Sequence, residues 1–452
     1  MSEIRRRQES ILLLDVGTCA TKAVLLDLVD GQYRPVATAQ APSTVAAPWQ
    51  DLSLGALQAL SRLEEICGRT LLGERASSDL APAARAERYL ITPEDEEERG
   101  VDRLLVVSSA GPPLHVLLAG LAHDVSLASA RRAIQSTYAH VQDVIALEQA
   151  PQGQRSAGQQ IDAICRSDAD LVFLVGGING GAEEPVRTMA REVVRVALYL
   201  MGEDAPPVLY AGNSALAGEV RELFDKIARV QVTDNLRPTV DVEDVAPAAQ
   251  ELNSRFYEKM RTLPGLRTIR QWSRSLILPT VRATETAVRC CAQVFESDKP
   301  ALGVDLGAAN LALHIAQGQR VRTVVRTGLG TGSGLSSLLD QVEMTEVLRW
   351  LPFDLDETAF LDWFHHKSRH PQTVAQTRRD LLLELAAARE LLRLGLADLL
   401  PAWEANLAEM VPACDPLIGS GGLLSHAPQP GLAALVLLDA LQPLGVSTLY
   451  QD

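Results

Sequence analysis

The sequence predicts an α/β protein in which two similar halves flank a parallel α/β domain. Three observations lead to this prediction. A hairpin of two apolar runs joined through Asp-x-Gly stands near the start of the 452-residue chain. The same pattern returns late in the chain. Between the two copies, short apolar runs alternate with stretches of helical periodicity.

The first hairpin has the composition of a phosphate-binding turn. Ile11–Leu14 is a short apolar run typical of a buried strand, and Asp15 closes it. Gly17 lacks a Cβ, so backbone amides can approach an anion. The carboxylate of Asp15 suits a hydrated Mg²⁺ near a phosphate. The other groups that would face a phosphate are two hydroxyls and one ammonium, on Thr18, Thr21 and Lys22. The alternative is an ordinary hairpin whose Asp and Thr only satisfy the turn.

The second hairpin supports the phosphate interpretation, because an internal duplication carries more weight than a single motif. Asp305 and Gly307 close another apolar run, and Leu311–Ile315 follows as a second strand. Each half then continues into a third predicted strand, over Tyr33–Ala39 and over Arg320–Arg326. We therefore expect a three-stranded meander at the start of each half.

A third motif lies near the end of the chain, where Pro416–Leu423 reads as a strand that runs into a glycine-rich turn. Two phosphate hairpins followed by such a turn resemble the two phosphate motifs and the adenosine motif of the actin, Hsp70 and sugar-kinase ATPase superfamily. This resemblance implies a two-lobed, actin-like (ribonuclease H-like) ATPase fold with ATP or ADP and Mg²⁺ between the lobes. The nucleotide-binding residues that it implies are Asp15, Gly17, Thr18, Thr21, Lys22, Asp305, Gly307, Gly419, Gly421 and Gly422, with Asp15 and Asp305 as metal ligands.

The middle of the chain alternates predicted strands with predicted helices. The strands are Leu114–Leu118, Val141–Leu147, Leu171–Val175, Val208–Tyr210 and Val230–Val232. The helices are Leu127–Ala139, Gln159–Arg166, Pro185–Leu200 and Ser214–Ile227. Such alternation is typical of a doubly wound domain, a parallel sheet with helices on its faces. The sequence thus predicts a first actin-like half over residues 1–100, an inserted domain over 101–240, and a helical return with the second half over 241–452.

Three turns rich in glycine and asparagine follow strands of the inserted domain: Gly176–Gly181, Ala211–Ser214 and Thr233–Asn235. Parallel sheets gather their ligands at the carboxyl ends of the strands. We predict that these turns form one edge that binds a partner or a small molecule. Simple βα turns, with Asn213 or Ser214 as a helix cap, are the alternative.

The composition narrows the classes of partner. The formal net charge is −15, the pI is about 5.1, and aromatic residues make up 4% of the chain. A nucleic-acid partner is not expected, because it would need a basic face or stacking aromatics. The six cysteines include no CxxC pair, which favours reduced thiols in a cytoplasmic protein. No apolar run reaches the length of a transmembrane segment or resembles a signal peptide. The acidic stretch Pro82–Gly100 is predicted to be a flexible, solvated loop.

Several short stretches resemble one family more specifically. They are Asp15–Lys22, Ala41–Val45, Val107–Gly111, Leu174–Gly181, Tyr210–Asn213, Val232–Asn235 and Ile418–Gly422. In order and spacing they resemble the MutL proteins associated with coenzyme-B12-dependent glutamate mutase, which are unrelated to the mismatch-repair protein of that name. The resemblance covers nearly the whole chain. It implies an accessory, chaperone-like role in reactivating a cobalamin-dependent mutase, in which ATP changes the angle between the lobes and so the grip on that partner.

The second phosphate motif departs from the pattern of this family. The family pattern resembles Asp-Ile-Gly-Gly-Ala-Thr-Thr-Asp, whereas residues 305–312 read Asp-Leu-Gly-Ala-Ala-Asn-Leu-Ala. The changes remove hydroxyls and a carboxylate from the γ-phosphate side, so we expect nucleotide binding with weak or lost ATP hydrolysis. Two other classes stay open. A small-molecule kinase of the same fold would need a carboxylate base, and an actin-like scaffold would form filaments or a membrane complex.

Overall fold

The computed structural model describes residues 9–76, 86–148, 155–181, 183–273, 276–295, 298–399, 413–444 and 446–451. The strands are β1 (Ile11–Val16), β2 (Ala20–Val29), β3 (Gln32–Pro42), β4 (Leu72–Ala76), β5 (Ala86–Leu90), β6 (Arg103–Ser108), β7 (Leu114–Gly120), β8 (Ala139–Ala146), β9 (Leu171–Leu174), β10 (Val208–Tyr210), β11 (Val230–Val232), β12 (Ile277–Pro279), β13 (Ala301–Leu306), β14 (Asn310–Gln317), β15 (Arg320–Thr327), β16 (Leu417–Ser420) and β17 (Leu449–Gln451). The α-helices are α1 (Leu52–Cys67), α2 (Ala128–Ile134), α3 (Ala157–Cys165), α4 (Glu184–Thr188), α5 (Arg195–Met201), α6 (Ala217–Phe224), α7 (Ala246–Met260), α8 (Leu266–Ser273), α9 (Thr280–Val294), α10 (Met344–Leu348), α11 (Glu357–Arg369), α12 (Arg378–Leu399), α13 (Gly422–Ser425) and α14 (Pro430–Leu441). Within the described residues the strands form three five-stranded sheets and one two-stranded hairpin.

The first half is built on a sheet of order β12-β6-β1-β2-β3. The strands β1, β2 and β3 form an antiparallel meander, and β6 and β12 extend the sheet in parallel with β1. Leu12, Leu14 and Val16 are buried, because alternate side chains of a strand point to the same face. The helix α1 packs against β2 and β3 and joins the same apolar cluster.

The second half repeats this topology. Its sheet has the order β15-β14-β13-β16-β17, with an antiparallel meander of β13, β14 and β15 and two parallel strands beside β13. The helices α10, α11, α12 and α14 cover it and contribute to one apolar cluster. A meander extended by two parallel strands is the ribonuclease H-like half of an actin-like ATPase. The predicted duplication and the actin-like fold are therefore confirmed.

The inserted domain has a fully parallel sheet of order β11-β10-β9-β7-β8. One apolar cluster packs α3 to α6 against one face, and a second packs α2 and α7 against the other. A π-helical segment, Met189–Val194, joins α4 to α5. Counted within the domain, the strand order is 2-1-3-4-5, a doubly wound arrangement. The five predicted strands of this domain are confirmed, whereas the predicted helix Leu127–Ala139 ends at Ile134, before β8 begins.

Two segments differ from what the local pattern predicts. The strand β6 lies in the range assigned to the insertion but pairs with β1, so the chain leaves the first sheet only after Ser108. The prediction of a solvated loop over Pro82–Gly100 is wrong for Ala86–Leu90, which pairs with β4. Leu90 is buried there, so this hairpin has an apolar side that the neighbouring acidic run obscures. Part of the expected loop, residues 77–85, lies outside the described residues.

None of the helices in the described part of the chain is long and apolar enough to cross a membrane.

Candidate functional site

The turns of the two hairpins have the same backbone geometry. The amide of Gly17 donates to the carbonyl oxygen of Ala20 at 3.0 Å, and the amide of Gly307 donates to that of Asn310 at 3.0 Å. A Cβ at Gly17 would lie 2.8 Å from the Ala20 oxygen, and one at Gly307 would lie 3.1 Å from the Asn310 oxygen. Both turns are therefore too tight to accept a side chain without movement of the backbone.

The two aspartates occupy equivalent positions but have different cross-strand neighbours. Asp15 pairs with Lys22 across β1 and β2, whereas Asp305 pairs with Ala312 across β13 and β14. Thr280, the first residue of α9, donates its hydroxyl to Oδ1 of Asp15 at 3.4 Å. The first hairpin thus combines a carboxylate, an ammonium and a neighbouring hydroxyl. The second hairpin has an apolar residue where the first has lysine.

The two threonines of the first hairpin differ in their surroundings. Thr18 lies in the turn and donates its hydroxyl to the carbonyl oxygen of Ser109 at 3.5 Å. Thr21 is fully buried, and its hydroxyl has no hydrogen-bond partner in the described ranges. A Cβ added to Gly55 of α1 would lie 3.3 Å from Oγ1 of Thr21. Thr21 therefore faces α1 from the side of β2 opposite to Lys22.

The late glycine-rich turn lies beside the second hairpin, because β16 runs parallel to β13. Gly421 has a φ of 108°, and a Cβ there would overlap the carbonyl oxygen of Leu306. A Cβ at Gly419 would lie 2.9 Å from Leu437 on α14, whereas the space around Gly422 is open. Gly421 thus lets the turn approach the hairpin backbone, Gly419 lets α14 pack on the strand, and Gly422 leaves an open edge.

A second glycine-rich loop, residues 328–334, closes over the second hairpin. The amide of Thr331 donates to the carbonyl of Gly307 at 3.0 Å. The amides of Gly332 and Gly334 donate to the carbonyl of Ala308 at 2.9 and 3.0 Å. These three amides are engaged by the hairpin and support its turn from one side.

Groups from the second half reach the first hairpin. Burial raises the pKa of the Cys19 thiol to about 11, and the charge of Lys367 and the amide of Ser333 act against this rise. Lys367 is 7% exposed, and its ammonium lies 2.8 Å from Oε1 of Glu384. Sequence reasoning missed Lys367, because it lies in α11 without any motif around it. Only the packing of α11 brings its charge to the first hairpin.

Tyr138, in the loop between α2 and β8, also lies where the halves meet. It is 3% exposed, and its ring centroid is 5.2 Å from that of Phe256 on α7. The apolar cluster around it contains residues of both halves, including Val281, Ala312 and Val325. A residue of the inserted domain is therefore part of the core between the two halves.

The electrostatic environment of Tyr138 includes both hairpin aspartates. Burial raises its pKa well above the ordinary value for tyrosine, and the negative charges of Asp305 and Asp15 add to the rise. The amide of Val281 acts in the opposite direction. Both aspartates thus act electrostatically on Tyr138, and no pattern in the local sequence indicates this relation.

The three turns at the carboxyl edge of the inserted sheet lie together. Oδ1 of Asn179 accepts hydrogen bonds from the amide of Ser214 at 3.0 Å and from Nδ2 of Asn235 at 2.9 Å. Asn213 is fully buried and accepts a hydrogen bond from the amide of Ala215 at 3.1 Å, as a helix cap does. The three turns therefore form one edge. Asn213 caps the helical turn that follows it, which is the structural role that the sequence analysis gave as the alternative to ligand binding.

No group of three or more His, Cys, Asp and Glu side chains in the described chain is arranged to hold a metal ion. Mg²⁺ does not need such a group, because it keeps several waters and takes one or two carboxylates together with phosphate oxygens. Asp15 and Asp305, which both act on Tyr138, fit that donor set.

The solved structures that resemble this chain are distant. Acetone carboxylase in a nucleotide-free structure is 12% identical, with 96% of this chain and 70% of that chain covered at a TM-score of 0.33. The ethanolamine utilization protein EutJ from Carboxydothermus hydrogenoformans is 8% identical, with 98% and 84% covered at a TM-score of 0.32. The fold assignment rests on the sheet topology and not on these superpositions.

Sequence comparison covers almost the whole chain. Protein MutL from Clostridium tetanomorphum is 22% identical over an alignment of 453 positions, which covers 94% of this chain and 88% of the relative. The family described as MutL protein matches residues 11–449. That match spans both hairpins, the inserted domain and the late glycine-rich turn. The chain therefore belongs to the MutL protein family.

Proposed function

We propose that this protein is a nucleotide-binding accessory factor that reactivates a cobalamin-dependent mutase, with ATP or ADP and Mg²⁺ bound between its actin-like halves. The observation that carries the proposal is the pair of equivalent hairpins, each with an aspartate and a tight glycine turn. Family membership supports the class of partner, because the motifs of this chain resemble those of the MutL proteins associated with glutamate mutase.

In the proposed site, the carboxylates of Asp15 and Asp305 hold the water shell of Mg²⁺, which neutralises charge on the phosphate oxygens. Lys22 supplies a positive charge, and Thr18 and the turn amides supply hydrogen-bond donors. The tight turn at Gly307 brings backbone amides close to a phosphate.

The remaining predicted residues have supporting roles in this proposal. Gly421 and Gly422 belong to the turn that would carry the adenosine, next to the second hairpin. Thr21 faces α1 and Gly419 faces α14, so these two residues contribute to the packing of helices behind the proposed site and do not contact the nucleotide.

Weak or absent hydrolysis is part of the proposal. The positions where the family pattern has two threonines and a final aspartate hold Asn310, Leu311 and Ala312. Leu311 and Ala312 are buried in β14. Attack on the γ-phosphate needs a polar group that positions water, and these apolar side chains do not provide one. Steady phosphate release by the purified protein at about 1 per second or faster, the ordinary range for enzymes, would refute this part.

Calorimetry with Mg-ATP and Mg-ADP tests the binding site. We expect binding by the wild type and a loss in Asp15→Asn and Asp305→Asn of about 1.5–3 kcal/mol, the usual worth of a charged hydrogen bond. Asp362→Asn is the control, because Asp362 is an exposed carboxylate on α11. No heat from the wild type at high-micromolar concentration would refute nucleotide binding, and equal affinities in all four proteins would refute the site.

The carboxyl edge of the inserted sheet is the proposed contact with the mutase. The amino end of this sheet is tied to α7, since Nζ of Lys259 donates to the carbonyl oxygen of Pro113 at 2.8 Å and pairs with Asp170 at 2.5 Å. The carboxyl edge lies at the other end of the strands, about 23 Å away for a strand of the length of β7. A partner bound there would leave the hairpins accessible.

Co-purification with mutase subunits tests the contact. Ala215 is exposed at the carboxyl edge, and Ala215→Arg should abolish co-purification while leaving nucleotide affinity unchanged. Glu203→Arg is the control, because Glu203 is exposed in the turn that leads into the amino end of β10. Retention of the mutase by Ala215→Arg, or its absence from wild-type preparations, would contradict the proposal.

A further inference from the structure

A loop of the inserted domain is fastened to the second half at both of its ends. The carbonyl oxygen of Gln135 accepts a hydrogen bond from the amide of Val325 at 2.6 Å. The carbonyl oxygen of Ala139 accepts one from the hydroxyl of Thr327 at 3.1 Å. Both donors belong to β15, so this strand holds the loop that contains Tyr138.

The register of the second sheet shows which face Tyr138 covers. Val325 stands opposite Ala312, and Ala312 stands opposite Asp305. Residues directly opposite each other on paired strands project from the same face. Tyr138 packs in one cluster with Ala312 and Val325. Its ring therefore lies on the face from which Asp305 projects.

The first half approaches the same ring from the other side. Thr280 donates its hydroxyl to Asp15, and the next residue, Val281, belongs to the cluster around Tyr138. The ring is thus bounded by the neighbours of Asp15 and by the strand neighbours of Asp305. The ring itself is 3% exposed, whereas Asp15 and Asp305 are both partly exposed.

We propose that Tyr138 is a wedge that competes with a Mg-nucleotide for the space between the two hairpin aspartates. This inference rests on the proposed nucleotide function and adds its regulation. A Mg²⁺ ion with its waters needs a polar space of several ångströms between the carboxylates. In this proposal the phenol ring and its apolar neighbours Val281, Ala312 and Val325 take up part of that space. Binding of the nucleotide then expels the ring and releases the loop from β15.

The loop is suited to such a release. Thr137 is fully buried, and its hydroxyl has no hydrogen-bond partner in the described part of the chain. A buried polar group without a partner weakens the arrangement that buries it. The closed position of the loop therefore carries an uncompensated cost, and departure of Tyr138 also returns the Thr137 hydroxyl to water.

The wedge would connect the nucleotide to the partner surface. Tyr138 immediately precedes β8, whose opposite end lies at the carboxyl edge of the inserted sheet. A displaced loop turns this sheet relative to the halves, and with it the edge that is proposed to contact the mutase. A partner that binds more tightly to the turned position would also increase the affinity for the nucleotide. By linkage, that factor equals the one by which the nucleotide increases the affinity for the partner.

Calorimetry with Mg-ADP on the full-length protein and three variants tests the wedge. Tyr138→Ala should bind Mg-ADP more tightly than the wild type by roughly tenfold or more, because no competing closed state remains. Tyr138→Phe keeps the ring and should stay within about twofold of the wild type. Trp272→Ala is the control, a truncation on α8 within the same apolar cluster, and should bring no gain in affinity.

Hydrogen exchange on the wild type provides a second measurement that needs no variant. Mg-ADP should speed exchange of the Val325 amide, because its bond to Gln135 is lost. Slower exchange there, or equal affinities of the wild type and Tyr138→Ala, would overturn the wedge and leave the nucleotide function standing. Absence of Mg-ADP binding in every protein would overturn both.

Discussion

Acidification should destabilise the fold through His314, a histidine of β14 that is 1% exposed. Its Nε2 lies 2.9 Å from the hydroxyl of Thr284, and its Nδ1 lies 3.0 Å from the hydroxyl of Thr323. Burial lowers the pKa of His314 to about 3, and the positive charge of Arg282 contributes to the decrease. The folded protein therefore holds a neutral imidazole between two hydroxyls over the whole physiological range.

The direction of the pH effect on stability depends on how many protons the folded and the unfolded chain bind. The pKa of histidine in an unfolded chain is about 6.5. Between about pH 6.5 and pH 3 the unfolded chain binds a proton that the folded protein does not bind, so the free energy of unfolding falls as the pH falls. A difference of about 3.5 pKa units corresponds to about 5 kcal/mol at its limit, of which about 2 kcal/mol is lost between pH 7 and pH 5.

Urea unfolding at pH 7 and pH 5 measures this loss. His314→Gln keeps groups that can bond to Thr284 and Thr323 but cannot take up a proton, so its free energy of unfolding should fall by about 2 kcal/mol less than that of the wild type. His366→Gln is the control, because His366 is exposed on α11. Equal losses in the wild type and His314→Gln, or an imidazole of His314 that titrates near pH 6.5 by NMR, would refute the reasoning.

Three further substitutions have expected effects on stability, each measured by urea or thermal unfolding. Thr21→Val should raise the free energy of unfolding by about 1 kcal/mol, because it removes a buried hydroxyl that has no partner in the described residues; a loss instead would show that the hydroxyl is satisfied. Lys367→Met should lower it by about 3–5 kcal/mol, because the carboxylate of Glu384 would lose its ammonium partner while its side chain stays 12% exposed. An unchanged stability would contradict a buried pair there. Gly421→Ala should cost about 1–3 kcal/mol at a φ of 108°, whereas Gly422→Ala, in open space, should be nearly neutral. Equal effects of the two glycine substitutions would refute a close approach at the first.

The local sequence was sufficient to predict the elements and their repetition. Short apolar runs that end in Asp-x-Gly specify a strand and a tight turn, and the same run at Ala301–Gly307 specifies a second copy. Strand periodicity and turn chemistry involve residues only a few positions apart, so these features can be read from a short window. The parallel sheet of the inserted domain was predictable for the same reason, because its strands and helices alternate in the chain.

Sheet membership was less accessible to sequence reasoning. The strand β6 is an ordinary apolar run, and its pairing with β1 depends on residues that lie about ninety positions earlier. Ala86–Leu90 lies next to an acidic run, and its pairing with β4 outweighs that local composition. Strand pairing is a property of two distant segments, so one segment alone does not determine it.

Tertiary structure alone decided which side chains from elsewhere in the chain reach the two hairpins. Thr280, Lys367 and Tyr138 come from three separate helices or loops, and none belongs to a motif. They reach the site because the packing of apolar clusters positions α9, α11 and the loop before β8. Packing free energy depends on apolar area that many distant residues bury together. The sequence therefore determined which functional groups the two hairpins carry. The packing of the three sheets and their helices determined which other side chains reach these hairpins.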